Sequence, residues 1–144
     1  MRLEEENKSI EFSVLDYQFP DLEDDADEYD ANWLTVQVVY TEGGADMTFT
    51  DSCILSWEIG SFLSELTKVI DGEIDSCCSE FMEPYLSFSV QRIGDRFEFE
   101  MRFICDVEND EAGVICVTQI CDETELRDIY EDLSEFDDEF PHRR

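Results

Sequence analysis

A chain of 144 residues is the size of one domain, and its formal charge of −30 at pH 7 argues against nucleic acid and anionic membranes as direct partners. Such charge with low hydrophobicity would give a disordered chain, but 42% apolar residues and eleven Phe supply a core. The chain is therefore expected to fold against its own repulsion. MRLEEENKSIEF holds no apolar run of signal-peptide length and no membrane-spanning run follows, so the expected location is the cytoplasm.

Apolar residues alternate in IEFSVLDYQF, 10 to 19, with Ile10, Phe12 and Val14 on one face, and predict a strand. Pro20 opens an acidic loop over 20 to 32. WLTVQVVYT, 33 to 41, predicts a second strand with Leu34, Val36, Val38 and Tyr40 sharing a face. EGG at 42 to 44 supplies the positive φ of a hairpin turn, and ADMTFT returns with Met47 and Phe49 inward. In SWEIGSFLSELTKVIDG, 56 to 72, Ile59, Phe62, Leu63, Leu66 and Ile70 recur at helical spacing, with Ser56 as N-cap and Gly72 as stop.

YLSFSV, 85 to 90, is expected to bury Leu86, Phe88 and Val90. DRFEFEMRFICDV, 95 to 107, sets Phe97, Phe99, Met101, Phe103 and Cys105 against Glu98, Glu100 and Arg102, the pattern of a sheet with one wet face. A turn at NDEAG leads into a strand from Gly113 to Cys121. DETELRDIYEDLSEF then offers a capping box, Asp122 with Glu125, and a stripe of Leu126, Ile129, Tyr130 and Leu133. The order strands, helix, strands, helix predicts a single-domain α+β fold, a curved antiparallel β-sheet with two helices on one face. Residues 137 to 144 are expected as a flexible tail.

Recognisable chemistry is sparse. Cys53, Cys77, Cys78, Cys105, Cys116 and Cys121 are expected as thiols acting mostly as small hydrophobes on or beside strands. His142 is the one His and no C-x-x-C occurs, so neither a zinc site nor a Cys–His nucleophile is expected. With 39 Asp and Glu, catalytic carboxylate pairs cannot be told from chance. A calcium loop of ~12 residues opening at Asp25 would put Tyr29 at a ligand position, Asp30 where Gly is needed and Val36 where the bidentate Glu belongs. No cofactor, no metal and no enzymatic activity are expected.

Charge distribution says more. From Ser9 to Thr67 there is no Lys or Arg, against fourteen Asp and Glu. Seven of the ten residues 21 to 30 are acidic, namely Asp21, Glu23, Asp24, Asp25, Asp27, Glu28 and Asp30. Such a field accelerates association with a basic partner, and Tyr29 and Trp33 within it are aromatic anchors of the kind on which interface energy concentrates. Trp33, opening a strand, reads equally as core. A solvated loop without a partner is the plain alternative.

DYQFP (16 to 20), YDANWLTV (29 to 36), CILSWEIGSFLSEL (53 to 66) and EPYLSFSV (83 to 90) resemble, in that order, the recurring segments of the WapI-like family of bacterial immunity proteins. The resemblance spans most of residues 10 to 135, and Asn32-Trp33-Leu34 after a Tyr-bearing acidic loop is its most distinctive part. It carries no catalytic residues, so Asp30, Asn32 and Trp33 read as framework or interface. It implies cytoplasmic neutralisation of a contact-delivered toxin whose nuclease domain, typically a tRNase, presents a basic surface to phosphates. The implied partner is that basic nuclease domain, bound by a monomer or in a 1:1 heterodimer. The alternatives from other classes are an acidic nucleic-acid mimic antagonising a DNA-binding protein and an acidic cation-binding protein.

Overall fold

The computed structural model describes residues 1–22, 25–104 and 113–143. Among these, two antiparallel sheets of four strands hold one core with two helices, the expected α+β fold with its strands divided between two sheets instead of one curved sheet. The first sheet runs in chain order through β1 (Arg2–Glu5), β2 (Lys8–Tyr17), β3 (Trp33–Glu42) and β4 (Ala45–Leu55). Helix α1 (Ser56–Ile70) leads to the second sheet, β5 (Ser76–Cys78), β6 (Leu86–Ile93), β7 (Arg96–Ile104) and β8 (Val114–Cys121), and α2 (Glu123–Glu139) follows.

The sheets meet where β1 and β8 lie side by side. Side chains make the join: Gln119 Oε1 accepts from the Glu4 amide at 2.9 Å, Glu5 Oε2 accepts from the Thr118 amide at 3.0 Å, and Lys8 Nζ donates to the Cys116 carbonyl at 3.1 Å. The amides of Glu4 and Thr118 and the carbonyl of Cys116 are thereby satisfied without a continuous ladder. β1 escapes the alternation argument because it is short and three of its four residues are charged.

Alternation places the expected faces inward. Ile10, Phe12 and Val14, Leu34, Val36 and Val38, Leu86, Phe88 and Val90, and Phe97, Phe99, Met101 and Phe103 are all buried. A bulge between Val14 and Asp16 removes Leu15 from the ladder, which is why this Leu is exposed. At the centre, Phe88 meets the rings of Phe12, Phe62, Phe81 and Phe99 at centroid distances of 5.3, 5.5, 5.4 and 6.1 Å. Leu126, Ile129 and Leu133 close the core from α2, with Phe136 edge-on to Phe12.

Met47, expected inward, is 48% exposed. It lies near the tip of the β3–β4 hairpin, beyond the reach of the core, whereas Phe49 two residues on packs on Phe103 at 5.2 Å. The N-cap of α1 is also displaced by one residue: Leu55 holds the cap position, and Glu58 reaches back to accept from its amide at 2.8 Å. At the other end Gly72, with φ of +80°, closes α1 through bonds from its amide to Val69 and from Glu73 to Lys68. Gly72→Ala is expected to destabilise by about 1 kcal/mol, read from urea unfolding, because the left-handed conformation strains any β-carbon. Cys105 and all of the NDEAG turn but Gly113 lie outside the described residues.

Candidate functional site

The acidic loop leaves β2 at Tyr17 and enters β3 at Trp33. Its last turn is built by its own residues: the Asp27 carbonyl accepts from Ala31, Asp27 Oδ1 accepts from the Asp30 amide at 2.8 Å, and the Tyr29 carbonyl accepts from Asn32 and Trp33. A carboxylate bonding backbone a few residues on is a turn former, so Asp27 has a structural duty besides its charge. Asp21, Asp25, Asp27, Glu28, Tyr29 and Asp30 are all exposed, while Glu23 and Asp24 lie outside the described residues. Trp33 is half-buried opposite Leu55, between the two roles left open for it.

Asn32 holds the loop. It is fully buried, and each atom of its amide is used twice. Nδ2 donates to the carbonyls of Glu28 and Arg143, both at 2.7 Å, and Oδ1 accepts from Ser56 Oγ at 2.8 Å and from the Arg143 amide at 2.7 Å. Its carbonyl also accepts from the Ser56 amide. One side chain thus ties the loop to the start of α1 and to the C-terminal segment. Of the Asn-Trp-Leu signature, Asn32 is framework.

The segment from 137 onward, expected as a flexible tail, is described as far as Arg143. α2 runs to Glu139, Phe140 is buried edge-on to Tyr17, and residues 141 to 143 lie along the acidic loop. Arg143 stacks its guanidinium 3.6 Å over the Tyr17 ring. It also donates to the carbonyls of Phe19 at 2.9 Å, Pro20 at 3.0 Å and Ala31 at 2.8 Å, with a second bond to Ala31 from Nη2. His142 Nε2 lies 2.9 Å from Glu28 Oε1, and its ring meets Trp57, which in turn meets Tyr29. The physical reason is hydrogen bonding: the carbonyls of Phe19, Pro20 and Ala31 find their donors in the planar guanidinium fork of Arg143. Burial raises the Tyr17 hydroxyl above its ordinary pKa, opposed by Arg143.

Three apolar side chains stand out of this acidic surface: Phe19 at 50%, Leu22 at 42% and Tyr29 at 48% exposure. Phe19 and Leu22 line an open groove of about 360 Å³ with Asp21, Asp25 and Asp30. Exposed apolar groups rimmed by charge mark an interaction site better than charge alone. Of the residues singled out from sequence, Asp21, Asp25 and Asp30 share the groove, whereas Tyr29 and Glu28 sit on the Trp57–His142 side. Sequence reasoning passed over Phe19, Leu22 and Trp57. Phe19 directly before Pro20 was a signal for an extended residue leaving its strand.

Burial pushes the thiol of Cys53 up to about 12, and those of Cys77 and Cys121 to about 11, which leaves almost no thiolate at neutral pH. Among the described residues no three His, Cys, Asp or Glu converge on a point where a metal ion would sit. What the loop offers is a shaped, negatively charged surface with apolar projections, held in place by Asn32 and Arg143.

No curated protein and no solved structure matches this chain significantly. The family model for immunity proteins of the WapI-like type matches residues 1–141, nearly the whole length. The chain therefore belongs to the WapI-like immunity protein family.

Proposed function

We propose that this immunity protein neutralises its cognate toxin by covering the basic substrate-binding surface of a nuclease domain, with tRNA as the substrate excluded. The acidic loop stands in for the phosphate backbone, and inhibition requires occupancy only, with no chemistry by this chain. The observation that carries the reading is the groove at Asp21, Asp25 and Asp30 with Phe19 and Leu22 exposed in it. Carboxylates steer a cationic surface and set the salt dependence of association, while the apolar projections slow dissociation. Tyr29, Glu28 and Trp33 extend the same contact toward β3, in a 1:1 complex formed in the cytoplasm.

Co-expression with the toxin domain encoded beside this chain tests the reading, with growth and intact tRNA scored and the complex captured across a salt series. Rescue with a complex that weakens as salt rises supports it. Continued killing without a complex removes it. The triple variant Asp21→Asn, Asp25→Asn and Asp30→Asn is expected to slow association by about tenfold or more and flatten its salt dependence. Its fold stability should change by about 0.5 kcal/mol or less, because these side chains are exposed. An unchanged association rate would reduce the loop to a solvated connection.

A further inference from the structure

β4 is an edge strand of eleven residues paired only with β3, and among the described residues nothing pairs with its outer side. From Ala45 to Ser52 its register with β3 is regular, and every residue from Ala45 to Thr48, with Thr50 and Asp51, is exposed. The two-residue Gly43–Gly44 turn, with φ of +59° and +83°, makes Glu42 and Ala45 the first hydrogen-bonded pair. Alternation along the ladder then turns the amides and carbonyls of Asp46, Thr48 and Thr50 outward. This edge has no Pro, no Lys and no bulge over that stretch, which are the usual devices that protect one.

We propose that β4 receives an extended strand of a basic partner, antiparallel or parallel, with basic and apolar residues alternating. The pleat dictates the alternation. Asp46, Thr48 and Thr50 share one face, where a Lys or Arg would meet Asp46; Met47 and Phe49 share the other, where exposed Met47 would pack an apolar neighbour. The partner is basic because no Lys or Arg occurs from Ser9 to Thr67, so the edge has no cation of its own to offer. A second copy of this chain would bring another net charge of −30 with the same acidic edge, and like charges across a strand pair repel. Charge thereby does what protective residues do elsewhere: it prevents self-pairing while leaving the edge open to an opposite partner. The inference rests on the reading above only in taking the partner to be a basic protein, and it concerns a surface separate from the acidic loop.

The test uses the full chain and synthetic peptides of about nine residues, one alternating Lys and Val, one alternating Glu and Val, and a Lys-Val peptide N-methylated at every residue so that neither edge can pair. Residue-resolved hydrogen exchange is the readout, because any polycation will adhere loosely to this protein. The Lys-Val peptide is expected to slow exchange at Asp46, Thr48 and Thr50 on the order of tenfold, and the other two peptides to leave it unchanged. Thr48→Pro, which removes one outward amide and leaves the β3 ladder intact, is expected to abolish the protection. Should that variant fail to fold, the N-methylated peptide makes the same comparison with the protein unaltered. Protection absent at these three amides, equal with Glu-Val, or kept by the N-methylated peptide overturns the proposal. Those outcomes leave the loop reading to its own rescue experiment, and failed rescue with protection intact would remove the loop reading alone.

Discussion

Phe88→Ala is expected to destabilise the fold by about 3 to 5 kcal/mol, the range for deleting a fully buried Phe where the site collapses poorly. Phe88 is 1% exposed and touches rings from β2, α1, β7 and the segment before β6, so its removal opens a void lined from several directions at once. No single element can move into that void without losing its own contacts, which is the condition for the upper part of the range. Equilibrium urea unfolding should show a lowered midpoint with an unchanged slope, and thermal unfolding should fall by roughly 10 °C. Leu22→Ala, at an exposed apolar site, is the control and should stay within about 0.5 kcal/mol of the parent. A Phe88 variant as stable as that control would mean that the two sheets do not share a core.

The second large effect is expected at Asn32. Asn32→Ala removes four side-chain hydrogen bonds at once and leaves the Ser56 hydroxyl and the Arg143 amide without their acceptor. With each such bond contributing about 1 kcal/mol net, a loss of about 3 kcal/mol or more is expected. The location of the damage matters as much as its size. Exchange of the amides of Phe140, His142 and Arg143, together with those of Asn32 and Ser56, should accelerate far more than exchange in β6 and β7. The same variant should weaken toxin binding although Asn32 is wholly buried, because the loop that presents Phe19, Leu22 and the carboxylates would lose its anchor. Unaltered exchange at 140 to 143 would show that Arg143 and Phe140 hold the C-terminal segment unaided.

Much of the fold was legible because water imposes period two on a strand with one wet face and a period near 3.6 on a helix lying on a sheet. Phe97, Phe99, Met101 and Phe103 are buried as their alternation says, and Leu126, Ile129 and Leu133 as theirs does. Capping was legible where it is local: Asp122 and Glu125 bond each other's amides, at 2.8 and 3.2 Å. It was misread at Ser56, whose hydroxyl is taken by Asn32, a residue far away in the chain. Likewise Met47 repeats the apolar period, yet a hairpin tip that extends past the other sheet has nothing to bury it against.

The sequence by itself determined the charge, the helices, the alternating faces of the longer strands, and the identity of the loop as a concentrated negative surface. These depend on residues close together in the chain, where spacing alone sets which side chains face together. Only the tertiary structure decided that the strands divide into two sheets joined by side chains at β1 and β8, and that residues 141 to 143 lie along the acidic loop. It also decided that Arg143 supplies donors to the loop's carbonyls, and that Phe19 and Leu22 stand exposed within the acidic groove. Each of these turns on where a carbonyl, a ring or an edge ends up relative to a residue up to 124 positions away. Period and composition carry no information about such pairings, because they are settled by which buried polar groups must find a partner once the core has closed.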